Sequence, residues 1–265
     1  MSGIGLGTYA FFWQHSARAT EPLSLEQMVD RAIGLGAEVF QICDYPAVER
    51  FDEQRLDALA ARARAGGLAL ELGTRGLAVA HLENYLGLAR RLGARLVRTM
   101  LTTATSRPTL AEAARLLAEA LPGYERAGVT VALETYEQVP SADLVALVDR
   151  VGSRNLGICL DPANCVAALE HPNQVIDTVA EHVVNLHMKD FRFTRDESWV
   201  GFRLASCPLG EGLLDLDYLF ARVRPAERGI SRIIEHWLPW QGDEVSTFSL
   251  ENRWTEQGMT YLRRK

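Results

Sequence analysis

One pattern of hydrophobic and polar positions recurs along the chain: an amphipathic helical stretch, a turn containing glycine, and a short apolar run. The apolar runs are rich in Val, Ile and Leu and are bounded by turn residues, which predicts buried β-strands. The segment IGLGTYAF near the start supplies one strand. Seven turn-and-strand units follow: LGAEVFQI, AGGLALEL, LGARLVRTM, AGVTVALE, GSRNLGICLD, EHVVNLHMK and RGISRIIEHW.

The stretches between the strands carry the end signals of helices. Ser24 with Gln27, and Thr109 with Glu112, have the spacing of capping boxes. Eight strands that alternate with helices at intervals of roughly 30 residues favour a closed, parallel (β/α)8 TIM barrel of the α/β class. An open, doubly wound sheet is the alternative. We expect a single domain over residues 1–265, with one long excursion between residues 189 and 214.

Composition and charge narrow the classes of function. The net charge is −6 and no long basic run is present, so we expect neither nucleic acid nor a membrane surface as the main partner. No apolar run approaches the roughly 20 residues that span a bilayer. Four cysteines show neither CxxC pairing nor framework spacing, which is typical of reduced thiols. We therefore expect a cytoplasmic protein.

Side-chain alternation predicts what lies inside the barrel at the ends of the last four barrel strands. In VTVALETYE and LGICLDPANC, the large aliphatic residues occupy one face, and Glu134 and Asp161 lie on the opposite face. In VVNLHMKD, Val184 and Leu186 oppose His187, and in RIIEHW, Ile234 opposes Glu235. Active sites of TIM barrels lie where strands end. Glu134, Asp161, His187 and Glu235 are therefore expected to point into one cavity.

Three carboxylates and one imidazole in one cavity would repel one another and lose their hydration, and a divalent cation relieves both problems. Taken singly, each has an ordinary structural explanation, such as a salt bridge or a buried histidine. Four of them with matched parity and position favour a metal site instead. A set of three oxygen ligands and one nitrogen ligand favours Mn²⁺, with Mg²⁺, Co²⁺ or Zn²⁺ as alternatives.

The segments ALETYE, CLDPAN, NLHMKD and IIEHW resemble those of xylose isomerase-like TIM barrels, and the resemblance extends over nearly the whole chain. That family includes sugar-phosphate isomerases and epimerases, ketose 3-epimerases, inosose dehydratases and a class of apurinic endonucleases. The resemblance implies that the same four residues are the metal ligands. Ketose 3-epimerases usually carry a histidine three residues after the strand-six aspartate, whereas this chain has Asn164, which weakens assignment to the free-ketose epimerases.

Such a site predicts chemistry on a sugar that carries a carbonyl next to a hydroxyl. The metal would stabilise an enediolate, while Glu134 and Glu235 exchange the proton as paired acid and base. We therefore expect a metal-dependent isomerase or epimerase of a keto sugar or its derivative. The alternative is a lyase on the same intermediate: a dehydratase, a 3-keto-glycoside β-eliminase or a β-keto acid decarboxylase.

Further residues near the strand ends are candidates for contact with a small sugar substrate. Lys189 shares the parity of His187 and is a catalytic candidate that could stabilise an oxyanion or protonate a leaving group. A salt bridge to Asp190 or to another acid of the loop is its structural alternative. The candidate substrate-binding residues are Asn164, Arg192, Gln41, Arg98, Trp13 and Trp237.

Two other classes of function fit the sequence less well. A zinc apurinic endonuclease would need many histidines and a basic groove, but the chain has six histidines and an acidic balance. A binding barrel without activity would not need four intact ligands. Because barrels of this kind often dimerise, a homodimer is one expected assembly.

Overall fold

The computed structural model describes residues 3–195 and 200–265. Its strands are β1 (Ile4–Gly7), β2 (Val39–Cys43), β3 (Ala69–Gly73), β4 (Leu96–Thr99), β5 (Thr130–Glu134), β6 (Leu156–Leu160), β7 (Val183–Met188), β8 (Asp190–Arg195), β9 (Phe202–Cys207) and β10 (Ser231–Ile234). Its α-helices are α1 (Leu25–Gly34), α2 (Glu53–Ala65), α3 (Val79–Leu92), α4 (Leu110–Ala127), α5 (Ser141–Val151), α6 (Pro162–Cys165), α7 (Pro172–Val179), α8 (Leu216–Val223), α9 (Pro225–Arg228) and α10 (Glu244–Leu262).

Eight of these strands close into a barrel in the spatial order β1-β10-β7-β6-β5-β4-β3-β2, and every neighbouring pair is parallel. The predicted (β/α)8 barrel is confirmed. Both predicted capping boxes are present, at the starts of α1 and α4. Within the described ranges, none of the helices combines the length and apolarity needed to cross a bilayer.

The hydrophobic core lies between the outer face of the barrel and the surrounding helices. Val131, Leu133, Ile158 and Leu186 are each at most 1% exposed and belong to this layer, as their strand parity predicts. A second, small apolar cluster lies inside the barrel and consists of Leu96, Ala132 and Cys159. The interior-facing positions are therefore small or polar, which leaves room for polar side chains at the strand ends.

Val184 does not follow the alternation expected for β7. It packs against the small interior cluster instead of the helices, while its neighbour Val183 joins the outer core. The pairing of β6 with β7 shifts register between Ile158 and Cys159, so that one extra residue of β7 is accommodated. Beyond this irregularity the expected parity returns, and Leu186 faces outward.

The long excursion after β7 contains an antiparallel hairpin of β8 and β9, which pairs Asp190 with Cys207 at its base. The carboxylate of Asp190 is buried and accepts hydrogen bonds from the backbone N–H groups of Phe191, Gly210, Gly212 and Leu214. The segment Leu209–Gly212 thus forms a turn around this carboxylate. Asp190 organises the connection from the barrel to α8 and does not pair with Lys189.

We predict that Asp190→Ala lowers the free energy of unfolding by about 3 kcal/mol, because four backbone donors lose one buried, charged acceptor. Urea unfolding followed by circular dichroism measures this change. Asp57→Ala is the matched control, because Asp57 forms an exposed ion pair with Arg91 and should matter little. Equal stability of the Asp190 variant and the native chain would show that the turn does not depend on this carboxylate.

Candidate active site

Four barrel strands bring the predicted metal ligands together at one end of the barrel. Glu134 is the last residue of β5, Asp161 and Glu235 directly follow β6 and β10, and His187 lies near the end of β7. Each side chain is at most 3% exposed. One ligand atom from each residue lies within 4.8 Å of the corresponding atoms of the other three. The convergence expected from strand parity is thus present in the folded chain.

Two buried cations lie against these carboxylates. Lys189 Nζ lies 2.7 Å from Asp161 Oδ2 and 3.3 Å from Glu235 Oε2. Arg98 Nη2 forms an ion pair with Glu134 Oε2. The lysine and the arginine therefore neutralise part of the negative charge and hold the carboxylates in fixed orientations.

The atoms left between these groups fit a divalent cation. Nδ1 of His187 lies 3.2 Å from Glu134 Oε1 and 3.4 Å from Glu235 Oε2, so that it faces the acidic cluster. Glu235 Oε1 is buried and has no hydrogen-bond partner among the described residues. An orphaned buried carboxylate oxygen costs free energy unless a cation or donor compensates for it. Three oxygen donors and one imidazole nitrogen can supply that cation with ligands.

Burial and charge change the acidity of all these groups. Burial alone raises the pKa of Glu134, but Arg98 and His187 outweigh it and hold the pKa at about 2. Burial raises the pKa of Asp161, although Lys189 opposes the rise. Burial lowers the pKa of His187, but the surrounding acidic groups raise it well above its ordinary value.

The predicted substrate-binding residues differ in their placement. Asn164 is buried at the centre, where its Nδ2 donates to Glu134 Oε1 at 3.0 Å and its Oδ1 accepts from Lys189 at 3.4 Å. Arg98 is buried between Glu134 and Asp44. These residues hold the charged groups of the site in place.

Gln41 lies inside the barrel, whereas Arg192 lies at the surface. Gln41 is fully buried inside the barrel and its Oε1 lies 2.8 Å from His187 Nε2. Arg192 lies on β8, where its partly exposed side chain is 3.8 Å from that of Glu211. Arg192 makes no contact with the four candidate ligands in the described part of the chain, so the fold does not bring this predicted site residue to them.

Aromatic side chains, including the predicted Trp13 and Trp237, line the region where β1 and β10 end. The ring of Trp13 meets that of Trp240 edge to face, with centroids 5.3 Å apart, and its Nε1 donates to the carbonyl of Leu238. The ring of Trp237 lies beneath Lys189, with Nζ 4.4 Å from its centroid. Trp237 is thus adjacent to the charged cluster, and Trp13 belongs to a neighbouring group of rings.

Asp44 and Glu251 contribute to this region without having been predicted from the sequence. Asp44, directly after β2, has a φ of +49° and accepts hydrogen bonds from Tyr9, Arg75 and Arg98. Glu251 on α10 is fully buried and accepts the backbone N–H of Trp13 at 2.9 Å. A polar residue after β2, in QICDY, is the sequence signal that could have identified Asp44.

The fold and the arrangement at the strand ends define a family. A family model described as the xylose isomerase-like TIM barrel matches residues 29–265. The chain belongs to this family, and it is an enzyme. The resemblance inferred from the four strand-end segments is therefore confirmed.

Particular relatives narrow the comparison. The chain is 53% identical over 259 residues to the 3-oxo-isoapionate decarboxylase of Pectobacterium atrosepticum, across 98% of this chain and 94% of that protein. The structure of D-psicose 3-epimerase with D-tagatose from Clostridium cellulolyticum H10 matches with a TM-score of 0.75 and 14% identity, over 98% of this chain and 97% of that one.

A xylose isomerase-like TIM barrel protein from Mycobacterium smegmatis, in complex with magnesium, matches with a TM-score of 0.69 and 18% identity, over 98% of this chain and 97% of that one. At such identities the solved structures establish the shared fold alone. The similarity to the decarboxylase, at 53% identity, also bears on chemistry.

We predict that Glu235→Gln weakens Mn²⁺ binding by at least about tenfold, because a neutral amide replaces one of three anionic ligands at nearly constant volume. Isothermal titration calorimetry of metal-free protein measures the affinity. Glu211→Gln, the same substitution on an exposed side chain, is the control. If both variants bind Mn²⁺ as tightly as the native chain, Glu235 is not a ligand.

Proposed function

We propose that this enzyme is a divalent-metal-dependent decarboxylase of a β-keto sugar acid. The observation that carries the proposal is the 53% identity to a protein named 3-oxo-isoapionate decarboxylase, over nearly the full length of both chains. The name describes a 3-oxo carboxylate, in which the carbonyl lies two bonds from the carbon that leaves as CO₂. Of the alternatives expected from the sequence, the lyase is therefore favoured over the isomerase or epimerase.

We further propose that Glu134, Asp161, His187 and Glu235 hold the metal. A bound divalent cation supplies a Lewis acid next to the substrate carbonyl, where negative charge develops. The donor set of three carboxylates and one imidazole favours Mn²⁺, with Mg²⁺, Co²⁺ or Zn²⁺ as alternatives. The orphaned oxygen of Glu235 and the orientation of His187 Nδ1 support this assignment.

The contacts of Glu134 favour decarboxylation over a reaction with two bases. Epimerisation through proton removal and return needs two groups that can each accept and donate a proton. Both oxygens of Glu134 are engaged, one by Arg98 and the other by Asn164. A carboxylate held in this way is a weak base. Decarboxylation needs no base to remove a carbon-bound proton.

The reaction requires that the bond between the carboxylate carbon and its neighbour breaks. CO₂ leaves, and the electron pair moves toward the carbonyl oxygen to form an enolate. A proton must then be delivered to the carbon that lost CO₂. In a sugar derivative with a neighbouring hydroxyl, the enolate is an enediolate, which is the intermediate that the sequence predicts.

We propose Lys189 as the proton donor. The chain has only two lysines against many arginines, and Lys189 is the one inside the barrel. Burial lowers the pKa of Lys189, but Asp161, Glu235 and Glu134 outweigh it and raise the pKa above its ordinary value. The ammonium therefore stays protonated, which suits proton donation and disfavours imine formation with the keto group.

Asn164 contributes to the same arrangement by linking Lys189 to Glu134. Its amide donates to Glu134 and its carbonyl accepts from Lys189, so that both groups are held at fixed positions. Both ends of the amide are engaged by these two groups. Asn164 is therefore better suited to hold Glu134 and Lys189 in place than to bind a substrate hydroxyl. The group of rings around Trp13 and Trp240 is proposed as the apolar wall of the substrate site.

The proposal predicts that the Mn²⁺-loaded enzyme releases CO₂ from a 3-oxo sugar acid and yields the ketose shortened by one carbon. Chelation of the metal should abolish the release, and Mn²⁺ should restore it. Gas release and NMR of the product in D₂O measure both outcomes, and deuterium should enter only the carbon that lost CO₂. Isomer formation from free keto sugars, with exchange of a carbon-bound proton and without CO₂, would favour the isomerase instead.

We predict that Lys189→Met lowers kcat for CO₂ release by about 10²- to 10⁴-fold, because the proton donor is lost. The metal content should stay at the native level, since Lys189 is not a ligand. Lys265→Met is the matched control. This second lysine forms an ion pair with Asp217, outside the candidate site, so its loss should leave kcat unchanged. Native kcat in Lys189→Met would contradict the assigned role.

A further inference from the structure

A chain of side-chain hydrogen bonds runs from the candidate metal site into the middle of the barrel. His187 Nε2 lies 2.8 Å from Gln41 Oε1, and Gln41 Nε2 lies 3.1 Å from both Glu71 Oε2 and Asn185 Oδ1. Gln41, Asn185 and His187 are each 0% exposed. Gln41 lies on β2, Glu71 on β3, and Asn185 and His187 on β7, so their contacts depend on closure of the barrel.

The partners of Gln41 determine which way its amide points. Its nitrogen faces two acceptors, the carboxylate of Glu71 and the carbonyl oxygen of Asn185. An amide oxygen placed there would meet only acceptors, so the oxygen must face His187. Because that oxygen can only accept, Nε2 of His187 must carry a proton.

The orientation of Asn185 is determined in the same way. Its Nδ2 donates to Glu71 Oε2 at 3.1 Å and to Ser231 Oγ at 2.7 Å, and Ser231 Oγ donates to Glu71 Oε1 at 2.6 Å. Glu71 therefore accepts from Gln41, Asn185 and Ser231. This partly buried carboxylate is the acceptor on which the direction of the whole network depends.

We infer that Gln41 and Glu71 are positioning residues that present Nδ1 of His187, rather than Nε2, to the metal. With the proton held on Nε2, the lone pair of Nδ1 is directed toward Glu134 and Glu235, from which it lies 3.2 and 3.4 Å away. The affinity of the metal site is then set partly by a carboxylate that touches none of the four ligands. This inference rests on the proposed metal site.

The experiment measures metal binding in the absence of substrate. Gln41→Met keeps the length of the side chain and removes both its donor and its acceptor, so we expect Mn²⁺ affinity to fall about 10- to 100-fold. NMR of ¹⁵N-histidine-labelled protein loaded with diamagnetic Mg²⁺ reports the Nε2 proton of His187 directly. That proton should be protected from solvent exchange in the native chain and should exchange rapidly in the variant.

Exchanging the amide of Gln41 and the carboxylate of Glu71 tests whether these residues act by positioning His187 or by packing. Gln41→Glu alone places a second carboxylate beside Glu71, at the 3.1 Å separation now bridged by a hydrogen bond, and should weaken metal binding. The double variant with Glu71→Gln again pairs one amide with one carboxylate and keeps an acceptor beside Nε2, so it should recover most of the affinity. A role in packing alone predicts native affinity in Gln41→Glu, because the two side chains have nearly the same volume.

Two results would overturn the inference: native Mn²⁺ affinity in Gln41→Met, or a double variant that binds no better than Gln41→Glu. The outcome is distinguishable from failure of the proposed function. A native enzyme that binds Mn²⁺ but releases no CO₂ would count against the decarboxylase alone, and the dependence of metal binding on Gln41 would still be tested.

Discussion

The structure depends on how three buried carboxylates are tolerated at one end of the barrel. Glu134, Asp161 and Glu235 approach one another where little water can screen them, so their mutual repulsion is large. Arg98 and Lys189 each pair with part of this charge. One oxygen of Glu235 is left with no hydrogen bond among the described residues. In the proposed site, a divalent cation held by the carboxylates and His187 would complete the compensation.

The same constraint links the fold to the chemistry. A closed parallel barrel places the ends of β5, β6, β7 and β10 side by side, so residues far apart in sequence can share one ion. Outward-facing aliphatic residues hold the strands against the helices, while the interior accepts polar groups. With a divalent cation bound as proposed, the site would combine an electron sink with a protonated lysine. Decarboxylation needs these two components and no strong base.

Much of this arrangement could be predicted from local sequence patterns. Strand parity alone identified Glu134, Asp161, His187 and Glu235, because alternation is a local property that the folded strands preserve. Val184 was predicted on the wrong face, because the register shift between β6 and β7 depends on a partner strand. The positive φ of Asp44 and the hydrogen bond from His187 to Gln41 depend in the same way on contacts between distant segments.

The reaction could be predicted only in part. The sequence indicated an enediolate common to isomerases and lyases, since that intermediate depends on the metal and the carboxylates. The choice between products depends on which bond of the substrate is broken, and similarity to a decarboxylase bears on that choice. The contacts of both oxygens of Glu134 also favour decarboxylation. They could not be predicted from the sequence, because they depend on the positions of Arg98 and Asn164 in the folded barrel.

The central claim is tested most directly by anomalous diffraction from a crystal grown with Mn²⁺. We expect a single strong peak within direct bonding distance of oxygens of Glu134, Asp161 and Glu235 and of Nδ1 of His187. A crystal with no peak there, or with the ion held by other residues, would contradict it.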